Sequence, residues 1–194
     1  MEFKDYEKYR WFFTSTEKIV IGGKNAEQNE QLLIKLKNQK KEKIMMHTTE
    51  PGSPFSVIFA DPKSVKEQDI KECAIFTACF SKAWRANKKN TTVDVFKLSQ
   101  LYKTPAMKLG SWGVKEKIRK ISVSLELALT KQNNKLRAVP LSTIKSKKDI
   151  LIYLFPGKID KNLILPKIQM MVEESLNQEE ILSALPPGGI RIKK

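Results

Sequence analysis

Hydrophobic and polar positions along the chain change period several times, and the changes mark it out as short strands with two longer helices between them. "YRWFF" and "KIVIG", separated by "TSTE", predict a β-hairpin near the N-terminus. A helix follows from about Ala26 to Gln39, with Asn25 as N-cap and Gln28 in the second half of a capping box. "KIMMH" and "SVIFA" predict strands separated by the turn-forming "TTEPGSP". From Val65 to Ala86 a second helix is expected, because Cys73, Phe76, Thr77, Phe80 and Trp84 stand at spacings of 3, 4, 7 and 11 and form one apolar stripe. "TTVDVFKL" predicts a strand, and "KTPAMKLGSWG" a loop. "KISVSLELALT" alternates from Ile121 through Val123, Leu125, Leu127 and Leu129, the period of one long strand, which "KQNNK" turns back into "LRAVPL". Towards the C-terminus the pattern predicts a strand in "DILIYLFPG", a helix over 160–175 interrupted near Pro166, a short helix over 178–185, and a turn and strand in "PPGGIRI". The fold class is α+β: a largely antiparallel or mixed β-sheet with two main helices over residues 1–144, and a small C-terminal βα extension, 145–194, packed on it.

Composition narrows the class. Apolar residues make up 41% of the 194-residue chain and charged residues 29%, the balance of a globular protein. The longest apolar run, "ILIYLF", is far short of the roughly 20 residues a membrane span needs. "MEFKDYEKYR" has no apolar signal region, so no membrane partner and a cytoplasmic location are expected. Cys73 and Cys79 point about 240° apart on one helix and read as separate buried thiols. The net charge is +15, and it is unevenly placed. Residues 1–72 carry 13 basic and 12 acidic side chains, 73–148 carry 17 and 3, and 149–194 carry 6 and 6. A general solubility bias would spread along the chain, whereas a surface for a polyanion gathers its charge. Only five of the 36 basic residues are Arg, and lysine is a point-charge partner for phosphate, so recognition of backbone and shape is expected over reading of bases.

Candidate chemistry is sparse. "IGGKNA" lacks both the spacing and the hydroxyl of a P-loop, and the third glycine of a dinucleotide fingerprint. Asn29 falls on the apolar face of the first helix with Ala26, Leu33 and Leu36, where its amide either ties the helix to a strand or faces a ligand. His47 is the sole histidine and ends an apolar strand; with no second His and no C-x-x-C, no metal or cofactor is expected. It remains a candidate acid or base, or a hydrogen-bonding recognition group. Lys82, Arg85, Lys88 and Lys89 crowd the end of the second helix with no acid between Glu72 and Asp94, more cations than a helix C-terminus requires. Lys97, Lys103, Lys108, Lys115, Lys117, Arg119 and Lys120 continue the series. Trp112, among them, either stacks on a base or packs in the core, while Trp11 and Trp84 read as core.

Six stretches in order, "YEKYRWFFTS", "VIGGKNAEQNE", His47 with "GSPFSVI", "FTACFSKAW", "DVFKLSQLYK" and "GSWGV", resemble the NFACT-R domain, the RNA-associated C-terminal module of the NFACT proteins, over about residues 6–140. "YLFPG" and "LPPGGIRI" resemble the C-terminal region of archaeal members, and "TPAMKL" is shorter than the Ser-Gly-containing loop usual in the family. The resemblance implies an RNA partner, tRNA or rRNA, in ribosome-associated quality control, with contact to the large ribosomal subunit or to a separate NFACT N-terminal protein. The chain begins where that module begins, so the expectation is a stand-alone or truncated form, and the family's tailing activity is not assigned to it. The expected RNA grip runs over residues 82–120, beside a pocket of Thr14, Ser15, Lys24, Asn29, Glu30 and His47. Three alternatives stand beside this reading: an RNA-processing enzyme using His47 with Glu30 nearby, an adaptor that docks on a separate NFACT N-terminal half, and binding of DNA in place of RNA.

Overall fold

The computed structural model describes residues 5–116, 118–172 and 177–194. Strands β1 (Arg10–Phe13) and β2 (Ile19–Gly22) form the expected hairpin and lead into α1 (Ala26–Asn38). β3 (Ile44–Thr48) and β4 (Ser56–Ile58) precede α2 (Glu67–Cys79) and the single-turn α3 (Lys82–Arg85). β5 (Asn90–Lys97), β6 (Leu101–Tyr102), β7 (Gly113–Val114), β8 (Arg119–Ser124), β9 (Leu127–Gln132) and β10 (Lys135–Val139) follow. The chain ends with β11 (Ile152–Ile159), α4 (Lys161–Met171), α5 (Gln178–Ala184) and β12 (Ile190–Lys193).

These strands build a six-stranded sheet in the order β1-β2-β4-β3-β5-β8, a four-stranded sheet β10-β9-β11-β12, and the small pair β6-β7, all antiparallel. The six-stranded sheet is covered on both faces, which explains why "IVI", "IMM" and "SVI" carry no polar alternation. Alternate residues go to opposite helices. Phe12, Val20, Met46 and Ile58 pack with Cys73 and Phe76 of α2, whereas Ile21, Met45, Val57 and Phe96 pack with Leu32, Leu33 and Leu36 of α1. The four-stranded sheet draws β9 and β10 from before residue 145 and β11 and β12 from after it, and α4 and α5 pack against it.

Three expectations change. The helix expected over 160–175 with an interruption near Pro166 is α4, which runs through Pro166 unbroken to Met171, while residues 173–175 of that expectation lie outside the described residues. The helix over Val65–Ala86 is broken: α2 ends at Cys79, and Ser81 starts α3, its hydroxyl donating to the Ala78 carbonyl (2.6 Å) and accepting from the Ala83 amide (3.0 Å). A serine hydroxyl competes for the backbone bonds that would continue the helix, so the chain turns there and re-aims Lys82 and Arg85. The long strand over 121–129 is also two strands, in different sheets, with the crossing at Leu125 and Glu126. Val123, Leu125, Leu127 and Leu129 nonetheless share one buried cluster, because both sheets pack around it, and alternation reports burial without reporting which sheet provides it. The "NN" turn is as expected: Asn133 and Asn134 have φ of 49° and 57°, the left-handed pair that a two-residue hairpin requires.

Candidate nucleic-acid interface

The end of β2, the first turn of α1, the segment between β3 and β4, α3 and the loop before β7 converge on a cleft of about 520 Å³. Asn29 fixes two of these pieces to each other. Its Oδ1 accepts from the Phe55 amide (3.1 Å), tying α1 to the lead-in of β4 while the residue still lines the cleft. Gly23 permits that approach, since a Cβ there would stand 2.3 Å from Asn29 Oδ1 and 2.8 Å from its backbone nitrogen. The amide is therefore both the strand tie and a wall of the cleft.

His47 lines the same cleft, its ring against Phe55 with centroids 4.6 Å apart. Its Nδ1 is 2.7 Å from the Thr48 carbonyl, which fixes the proton on Nδ1 and leaves Nε2 as an acceptor. Burial lowers its pKa and outweighs the Thr48 carbonyl and Asp94, so the ring is neutral at pH 7. Glu30, expected beside it, is engaged elsewhere. One carboxylate oxygen, Oε2, accepts from Lys103 Nζ (2.9 Å), the Gly110 amide (2.8 Å) and Trp112 Nε1 (3.1 Å). Burial alone would raise the Glu30 pKa, but these donors outweigh it and hold the carboxyl below its ordinary value. Glu30 thus clamps the loop over 103–112 onto α1, and Trp112 is neither fully core nor free: it lines the cleft and packs on the α1 side of the sheet.

Thr14 and Ser15 lie outside the cleft lining. Thr14 Oγ1 donates to Asp69 Oδ1 (2.6 Å) and the Ser15 amide to Glu72 Oε2 (2.8 Å), which pins the β1–β2 turn to buried carboxylates of α2. The expected single pocket therefore divides: Lys24, Asn29 and His47 face the cleft, Glu30 holds the loop, and Thr14 and Ser15 hold the hairpin.

The basic stretch divides as well. Lys82 and Arg85 line the cleft. Lys88 pairs with Glu50 (2.8 Å), Lys103 with Glu30, Arg119 with Glu67, and Lys120 with Asp94 (2.8 Å). Folding thus brings Glu30, Glu50 and Glu67, all from before residue 73, and Asp94 from within the stretch, to cations that stand unopposed in their own part of the sequence. Lys89 lines a groove with Lys88 and Arg191, and Lys97 a groove with Lys43 and Lys63. Lys115 Nζ lies 5.4 Å from the Tyr102 ring centre, and Lys108 is exposed. Lys117 lies outside the described residues.

Arg10 is the cleft residue that the sequence pattern hid, because it heads a core hairpin strand. Its guanidinium is 4.5 Å from the Phe80 ring centre, and burial with the nearby Arg85 charge pushes its pKa down to about 10. A lone arginine at the start of "RWFF" is the signal that was available. Among the described residues no three His, Cys, Asp or Glu side chains are grouped as metal ligands, and no helix is long and apolar enough to cross a membrane.

The NFACT protein RNA binding domain matches residues 8–116, which hold nearly the whole cleft lining. The chain is 29% identical over 203 aligned residues to the archaeal Rqc2 homolog aRqcH of Methanocaldococcus jannaschii, covering 100% of this chain and 30% of that protein. It is 34% identical over 83 residues to the ribosome quality control complex subunit NEMF homolog of Drosophila melanogaster, covering 42% of this chain and 8% of that protein. The chain therefore spans under a third of the length of either curated relative. Among solved structures, the C-terminal part of the fibronectin/fibrinogen-binding protein of Streptococcus suis superposes with a TM-score of 0.53 at 25% identity, over 60% of this chain and 45% of that one. With the family domain matched over more than half its residues, the chain belongs to the NFACT protein RNA binding domain family.

Proposed function

We propose that this chain grips a folded RNA, tRNA or rRNA, in the cytoplasm as part of ribosome quality control, through phosphate contacts around the cleft and along its basic surface. The observation that carries the reading is the cleft itself. Arg10, Lys24, Lys82 and Arg85 line it with no ion pair to a carboxylate among the described residues, beside the neutral His47 ring and Phe55. Cations left without ion-paired acids attract a polyanion from a distance, and the half-buried His47 ring, backed by the buried Phe55, offers a flat surface to an unstacked base. The ion pairs at Lys88, Lys103, Arg119 and Lys120 reduce the free charge of the remaining basic stretch and concentrate the grip at the cleft.

Binding of tRNA and of an rRNA fragment, measured against salt concentration, tests this. For four phosphate contacts on single-stranded RNA the slope of log affinity against log salt is expected near about −3. The double variant Lys82→Glu, Arg85→Glu is expected to flatten that slope and weaken binding at least about tenfold. A shallow slope in the wild type, or an unchanged affinity in the variant, overturns the proposal. Equal affinity for DNA of the same sequence would assign the grip to phosphate alone.

A further inference from the structure

Three cations of the cleft lining stand close to one another, and the carboxylates that line the same cavities pair elsewhere, Glu7 with Lys135 (3.6 Å) and Asp94 with Lys120 (2.8 Å). Arg10 and Lys24 line both the large cleft and the small cavity of about 60 Å³ that adjoins it, and Arg85 lines the cleft beside them. None of the three has an ion pair or a side-chain hydrogen bond to a carboxylate among the described residues. Their fields overlap: Arg85 lowers the pKa of Arg10, and Arg10 and Arg137 lower that of Lys24, after burial in each case. Arg137 stands behind them over the Trp11 ring at 4.2 Å, and its own charge is offset by Glu180 and Glu7.

The two arginines are also held in place. Arg10 lies over the Phe80 ring, and the Arg85 stem packs on Gly188, where φ is +109° and a Cβ would stand 2.9 Å from Arg85 Cγ. That glycine belongs to the C-terminal "LPPGGIRI" turn, so the far end of the chain shapes the arginine's position. Mutually repelling cations held near one another by packing, with no carboxylate in ion-pair contact with any of them, raise the energy of the free protein in a way that one bound anion relieves.

We infer that Arg10, Lys24 and Arg85 form a single phosphate seat, which takes one phosphate of an RNA while the attached nucleoside lies along the cleft towards His47. The inference rests on the RNA-binding reading and narrows it from a diffuse grip to one position. The shared chemistry is a phosphate group, either a terminal monoester or an internal phosphodiester. Arginine forks suit its oxygens, and Lys24 adds a point charge.

The test uses one short single-stranded RNA with a 5′-phosphate, a 3′-phosphate, or hydroxyls at both ends. It is titrated into wild-type protein, Lys24→Gln with Arg85→Gln, and the control Lys147→Gln with Lys148→Gln, which removes equal charge from exposed positions outside the cleft. The cleft pair is expected to lose about tenfold in affinity and the control pair less than about twofold. Equal losses from both pairs overturn the seat and leave diffuse RNA binding standing. If a phosphorylated end gains affinity in the wild type and loses that gain in the cleft variant, the seat holds a terminal monoester. A loss independent of the end chemistry assigns it to an internal diester. Inorganic pyrophosphate judges the seat without RNA: the Nε–H resonances of Arg10 and Arg85 are expected to shift on its addition and not with sodium chloride of equal ionic strength. Absence of that shift overturns the seat even where RNA binds; a shift with no RNA binding would overturn the RNA reading alone.

Discussion

Single residues were legible where chemistry left one option. Asn25 caps α1, accepting from the Gln28 amide at 2.8 Å, and Cys73 and Cys79 are both buried and free, as spacing on a helix requires. Asn29 was legible as an amide on an apolar face, and its reading as a tie between helix and strand holds, since it accepts from Phe55 while it also lines the cleft. His47 allows a clean test because the chain has no second histidine. Its pKa is lowered in the folded protein, so between that value and the ordinary value of about 6.5 the unfolded chain binds the extra proton. Stability from this source is therefore complete above about pH 6.5 and is lost as pH falls below it. Urea midpoints at pH 7, 6 and 5 are expected to decline in the wild type and to flatten in His47→Gln. The depressed carboxyls of Glu30 and Asp69 act in a separate window, below about pH 4, where protonation removes their bonds.

At the level of elements, periodicity located most strands and helices, and it failed where a side chain or a second sheet intervened. Ser81 divides the second helix, and residues 125 and 126 divide the long strand, while the apolar pattern runs unbroken through both places. The loop over 103–112 has no periodicity of its own, and its position is set by one carboxylate seventy-three residues from Lys103 in sequence. Glu30→Gln tests that assignment. The amide keeps one acceptor but loses the charge that Lys103, Gly110 and Trp112 share, and stability is expected to fall by about 1–2 kcal/mol, allowing for the partial exposure of the pair. Amide exchange at Gly110 should accelerate while that of the β2 amides does not; unchanged exchange at Gly110 would remove the clamp from the account.

Across the whole molecule, one buried cluster runs from Phe12 in β1 through α2 to Ile190 in β12, so both sheets share a core. Gln132 at the end of β9 bonds the Phe13 backbone in both directions (2.7 and 2.9 Å), tying the end of the edge strand β1 to the other sheet. Trp84 Nε1 donates to the Gly189 carbonyl (3.0 Å), tying α3 to the C-terminal turn. A piece ending at residue 144 would lose β11 and β12 and uncover Leu127 and Leu129; in calorimetry it is expected to lack the cooperative thermal transition expected of the full chain. A cooperative transition in residues 1–144 alone would establish the first 144 residues as an independent folding unit. The sequence by itself determined the α+β class, the basic excess after residue 73, the family resemblance and most element positions, because local period, turn chemistry and charge content are properties of neighbouring residues. Only the tertiary structure decided which cations stay unpaired. Glu30, Glu50, Glu67 and Asp94 neutralise lysines and an arginine of the basic stretch, while Arg10 and Lys24, from a stretch with almost no net charge, face the cleft with Arg85. Coulombic pairing depends on distance in space, and the fold brings together charges that the chain keeps far apart.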